Sequence, residues 1–231
     1  MATLSAPAAL LDIYAAPKDV FSTLKQKRGI TWLALLLLVT LTAGSILWFY
    51  SGMSDQWIVD QQLLQMSFES SAEEAQVEQF LLENAPHTGT LGAIFSVLFF
   101  LILLAVLALY FKIVGRQDEQ ATYGDWFAFS VWTQMPMALQ LIGFIALFVS
   151  AGGGDLSINL PNYTSVNQLL LNLPVKHKWF QIAEAANVFF LWSILLGAKG
   201  LMQWCNMSML KATCLSAAPY LAIFTIWAIF I

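Results

Sequence analysis

Between Arg28 and Asp55 the chain carries no charged side chain, and most of that interval is Leu, Ala, Ile, Trp and Phe. A run of this kind has the length a bilayer asks for. About 20 apolar residues at about 1.5 Å each cover a hydrocarbon core about 30 Å thick. Four more stretches meet the condition, so five spans are expected, at about 30–50, 88–111, 126–150, 179–204 and 212–231. They read as helices, because each is continuously apolar with no period-two alternation. Composition agrees: 59% of residues are hydrophobic and 10% charged, against about 45–50% and 25% in soluble domains. So few charges cannot cover a soluble surface. An ordinary cytosolic enzyme and a disordered chain are excluded. The net charge of −4 also excludes a nucleic-acid partner, which needs a basic face.

The expected fold is all-α: a polytopic membrane protein with a bundle of five transmembrane helices. A short amphipathic helix precedes it, and small helices sit in the outer loops. The organisation reads as an N-terminal cytoplasmic or interfacial segment over 1–29 and a membrane domain over 30–231. Basic residues mark the cytoplasmic side. Lys18, Lys25, Lys27, Arg28, Lys112, Arg116, Lys199 and Lys211 fall on one side of a five-span arrangement. Lys176 and Lys178 fall on the other, together with the acidic loop 51–87, which has no Lys or Arg. The N-terminus is therefore expected inside and the C-terminus outside. The first span reads as an uncleaved anchor.

Pro17 suits the first turn of a helix, and Val20, Phe21 and Leu24 follow at helical spacing. The expected helix lies on the inner leaflet, apolar side down, with Lys18, Lys25, Lys27 and Arg28 as candidate leaflet contacts. In the loop 51–87, Trp57, Ile58, Leu63 and Leu64 mark one short helix. Ser71 and Glu74 match a capping box for a second. Its acidic residues lack the spacing and glycine of a calcium loop and read as a solvated face. Gly152, Gly153 and Gly154 form a flexible exit from the third span. Residues 164–173 read as a further short helix, and Asn162-Tyr163-Thr164 matches a glycosylation acceptor.

No catalytic signature occurs: no nucleophile elbow, no His-Glu-x-x-His and no P-loop. Catalytic, cofactor-binding and metal-binding residues are read as none. His87 and His177 sit at outer boundaries, and Cys205 and Cys214 read as packing residues. Polar groups inside spans carry more information, because hydrocarbon penalises them. On one helix at about 100° per residue, Glu184, Asn187, Lys199, Gln203 and Asn206 share a broad sector. Ser193, Gly197 and Gly200 lie opposite, as a candidate helix-packing face. Gln134, Gln140 and Pro136 on the third span and Pro219 on the fifth complete a candidate polar or kink site. The alternatives for it are a cavity for a headgroup or small solute and plain bonding between helices.

The order of these features resembles the Yip (Ypt-interacting-protein) family in its short bacterial form. The resemblance rests on the five spans and on Ala16-Pro17-Lys18-Asp19-Val20-Phe21. The run from Gly124 to Pro136 resembles the family's small-residue-to-proline third span. Phe189-Phe190-Leu191-Trp192-Ser193-Ile194-Leu195-Leu196-Gly197 resembles its aromatic fourth span. The resemblance implies a non-enzymatic protein. Eukaryotic relatives bind Rab-type GTPases and associate with one another. Some carry an Asp-aliphatic-Tyr-Gly-Pro signature; Asp12-Ile13-Tyr14-Ala15-Ala16-Pro17 has an extra residue and no glycine, so Rab binding does not carry over. The function expected is a scaffold that organises protein partners or lipids, as a homo-oligomer in the lipid bilayer with a membrane-protein partner and no cofactor. A transporter or channel for a solute, ion or lipid is the alternative.

Overall fold

The computed structural model describes residues 4–116 and 120–231, so the first three residues of the N-terminal segment lie outside the described residues. Eleven α-helices follow in order among them: α1 (Ala6–Ala15), α2 (Pro17–Gln26), α3 (Thr31–Ser51), α4 (Asp55–Leu63), α5 (Ser71–Asn84), α6 (Thr88–Val114), α7 (Tyr123–Thr133), α8 (Pro136–Ser150), α9 (Phe180–Ala185), α10 (Phe189–Cys205) and α11 (Met209–Ile229). Among the described residues, four helical stretches are long and apolar enough to cross a membrane: Arg28–Ser51, Ser71–Val114, Tyr123–Ser150 and Met209–Ile229. Phe95, Phe99, Ile102 and Val106 of α6 and Leu221 and Ile226 of α11 are exposed, as side chains that face lipid must be.

Two expected spans are interrupted. The third divides into α7 and α8 at Gln134 and Met135. Pro136 has no N–H to continue the ladder, and the Gln134 N–H turns to the Val131 and Trp132 carbonyls. The fourth is not one helix over 179–204. It breaks at Ala186–Val188 into α9, of 6 residues, and α10, of 17. The break has a partner segment: Val166 N–H donates to the Ala186 carbonyl (2.7 Å), and Val188 N–H donates to the Thr164 carbonyl (3.2 Å). Strand-like pairing has replaced helical bonds there. The same pairing limits the helix expected over 164–173 to a π-helical turn, Asn167–Leu171, ended by Asn172 in the left-handed region (φ 47°).

The chain forms two compact units. The first comprises Met1–Thr40, Leu98–Leu139 and Phe189–Phe230. Its core is a cluster of aromatic rings around Phe129. Phe21, Phe111, Trp126 and Trp204 each lie within 5.3 Å of that ring, centroid to centroid. Gly200 has no side chain because a Cβ there would strike Phe129 and Phe21.

The second unit comprises Leu41–Val97, Gln140–Val188 and Ile231. Phe49, Met53, Ile58, Phe144 and Phe148 form its core. Gly152, Gly153 and Gly154 all have positive φ (82°, 72° and 85°), which only glycine adopts without strain. They turn the chain so that Asp155 accepts from Ser54 N–H (2.8 Å) and from the Ser54 hydroxyl. Ser54 in turn caps α4. The cap of α5 is one residue earlier than expected: Ser70 Oγ accepts from Glu73 N–H, and Glu73 Oε2 accepts from Glu69 N–H.

Candidate functional site

The N-terminal segment is two helices rather than one. Ala16 leaves the helical region (φ −135°, ψ 56°), and Pro17 starts α2 at its first position. Val20, Phe21 and Leu24 are fully buried. Their partners are protein: α2 packs against α10 and α7, and Trp204 Nε1 donates to the Phe21 carbonyl (2.9 Å). The expectation of an apolar face laid into lipid is thereby corrected. The aromatic side chains of α7 and α10 offer that face a closely packed partner, which a fluid interface does not. Helix α1 joins the same body. Ala9 and Ile13 are fully buried, and the Tyr14 hydroxyl donates to the Met135 carbonyl (2.7 Å). Burial pushes the Tyr14 phenol up to about 12, since an apolar setting disfavours the phenolate.

The four basic residues of this segment have different surroundings. Arg28 approaches Asp125 (3.6 Å) and donates to the Thr122 hydroxyl, at the capping box that starts α7. Lys25 lies over the Trp204 ring (5.6 Å) and donates to the Trp204 carbonyl. Lys18 and Lys27 are exposed. Lys18 lines a cavity of about 560 Å³ with Ala16, Pro17, Lys199, Gln203 and Asn206. Two of the expected intramembrane residues, Lys199 and Gln203, thus share a cavity with one of the expected leaflet contacts.

The other polar residues of the spans have local partners. Gln134 Nε2 donates to the Tyr220 hydroxyl (2.8 Å), and the Ser193 and Tyr220 side chains are hydrogen-bonded. Glu184 is buried and accepts from Asn167 Nδ2 (2.9 Å), Gln168 Nε2 (2.5 Å) and the Ser165 hydroxyl (3.4 Å). Asn187 Nδ2 donates to the Thr164 hydroxyl (2.7 Å). The Gln140 carbonyl accepts from the Tyr163 hydroxyl, whose pKa burial raises. Glu184 and Asn187 precede α10, so the single polar sector drawn on one continuous helix does not exist. Thr164, the last residue of the glycosylation triplet, is buried.

The expected packing residues have close neighbours. Beside Gly200, Gly197 faces Ser216 so closely that a Cβ would meet its hydroxyl. Two tyrosines absent from the expected site donate to backbone carbonyls, and one of them answers a proline. Pro219 cannot donate to the Leu215 carbonyl, and the Tyr110 hydroxyl does so instead (2.7 Å). Tyr14 serves the Met135 carbonyl beside Pro136.

Against known proteins, the family model of the Yip1 domain matches residues 11–231. No curated protein and no solved structure matches the chain.

Proposed function

The chain belongs to the Yip1 domain family and is an integral membrane protein, and from that premise we propose that it is a non-enzymatic scaffold, organising protein partners or lipids at the cytoplasmic face of a bacterial inner membrane as a homo-oligomer. One observation carries this reading. The apolar face of α2 is buried against α7 and α10. Its basic face is therefore held on a fixed protein surface. Rigid presentation of charge favours a lasting interaction, because the partner does not have to order the helix first. The positive-inside pattern supports a cytoplasmic setting for that surface.

The transport alternative rests on Glu184, Asn187, Gln134 and Gln140. The first three engage near neighbours, and no observation favours a path past them. Native mass spectrometry of the protein, extracted from its own membrane in minimal detergent, tests the scaffold reading. The expected result is a defined oligomer that retains a stoichiometric protein or lipid. A bare monomer would overturn it.

A further inference from the structure

We infer that the cavity bordered by Lys18 and Lys199 is a binding site for a phosphate group. The inference deepens the scaffold reading and rests on it for the lipid as occupant.

The chemistry of the lining is one-sided. Lys18 comes from the first turn of α2 and Lys199 from the last turns of α10, so two cations converge from separate elements. Among the described residues, neither has an acidic side chain within ion-pair distance. The start of α2 borders the same space through Ala16 and Pro17, and no side chain caps it. Its partial positive charge favours an anion, while Pro17 has no N–H and the Ala16 and Asp19 N–H groups are already bonded to the Asp12 and Ala16 carbonyls. The C-terminal end of α10 would oppose this, but Lys25 donates to the Trp204 carbonyl there (3.4 Å). Gln203 and Asn206 add amide donors. Asn206 is held in the left-handed region (φ 50°), where it ends the turn after α10. Met202 and Ala15 complete the wall with apolar surface, suited to the glycerol and first methylenes behind a headgroup.

Position agrees with chemistry. Lys199 and Gln203 lie toward the end of an apolar helix, where long polar side chains reach the headgroup layer. The volume, about 560 Å³, is that of a small-molecule site. A lipid headgroup and free inorganic phosphate share the chemistry recognised here.

The test uses the whole protein in detergent micelles, followed by native mass spectrometry with added phosphatidylglycerol or phosphatidylcholine, and by calorimetry with sodium phosphate. The wild type should retain phosphatidylglycerol. K18Q/K199Q should hold it about thirtyfold more weakly, at roughly 1 kcal/mol per cation. K112Q removes the same kind of charge outside the cavity and should bind as the wild type does. Binding of sodium phosphate, lost in K18Q/K199Q, with no lipid preference would keep the site and assign it a soluble phosphate. No binding of either lipid or of phosphate, or K18Q/K199Q indistinguishable from K112Q, would overturn the inference. Unchanged thermal melting shows that a variant is folded. Retention of a protein partner by K18Q/K199Q leaves the scaffold reading standing even if the phosphate site fails.

Discussion

Tyr14 donates its phenolic O–H to the Met135 carbonyl, which also accepts from the Ala138 N–H, whereas Tyr110 donates to the Leu215 carbonyl, which Pro219 leaves without its helical partner. In hydrocarbon such a carbonyl has no water to turn to. Tyr110→Phe should lower stability by about 1–2 kcal/mol. Combined with Pro219→Ala it should cost less, because alanine, unlike proline, brings back the N–H that the Leu215 carbonyl lacks. Thermal unfolding of both single variants and the double variant in one detergent gives the coupling, and an additive result would show that Tyr110 does not act through that carbonyl. Tyr14 adds a pH dependence. Its folded pKa of about 12 lies above the ordinary phenol value of 10.0. The unfolded chain therefore loses this proton first as pH rises. The stability Tyr14 contributes is complete below about pH 10 and is lost between about 10 and 12. A pH series of melting curves should show that fall, and Tyr14→Phe should reduce it.

Glycine and carboxylate positions decide how the elements pack. Gly200 allows α10 to meet the Phe129 and Phe21 rings, so Gly200→Ala should destabilise by about 1–3 kcal/mol of overpacking, despite alanine's better helix propensity. Gly29 faces open space, and Gly29→Ala should be neutral or mildly stabilising in the same melting assay. Glu184 joins α9 to the segment 164–168. Glu184→Gln keeps an acceptor for Asn167 and Gln168 and should be tolerated. Glu184→Leu leaves three donors unpaired and should cost about 1–3 kcal/mol, seen as faster amide exchange over residues 164–171. Abolished solute flux in a folded Glu184→Gln variant would instead revive transport. The elements themselves were largely legible. The starts of α2 and α3 follow from Pro17 and from the charge boundary at Arg28, and α6 starts where the second expected span does. The break at Ala186–Val188 was not, because its cause is a backbone pairing with residues far earlier in the chain, and no helical periodicity carries that. The cavity was half legible: Lys18, Lys199 and Gln203 were all singled out, but for different reasons. Only the docking of α2 on α10 brings them to one wall.

At the scale of the whole molecule, the fate of α10 sets the topology. Among the described residues four stretches are long enough to cross unaided, and four crossings would return both termini to one side. Helix α10 has 17 residues, which at about 1.5 Å each span roughly 26 Å, short of a core of about 30 Å. A mismatch of that size costs fractions of a kcal/mol per Å and is met by local thinning or snorkelling side chains. Lys199 can reach outward in this way. Its apolar neighbours Leu191 and Leu195 are exposed, which is stable in lipid and unfavourable in water. Both arguments favour a fifth crossing. The positive-inside pattern adds a third, since Lys199 and Lys211 join the basic side only if α10 crosses. The prediction is that a tag placed before Ser5 is protected from protease in intact spheroplasts, whereas one placed after Ile231 is cleaved. A third tag at Gly153, in the turn after α8, should be cleaved together with the C-terminal one. Protection of both terminal tags would mean that α10 does not cross, and Lys199 would then lose the interfacial placement on which its lipid contact depends.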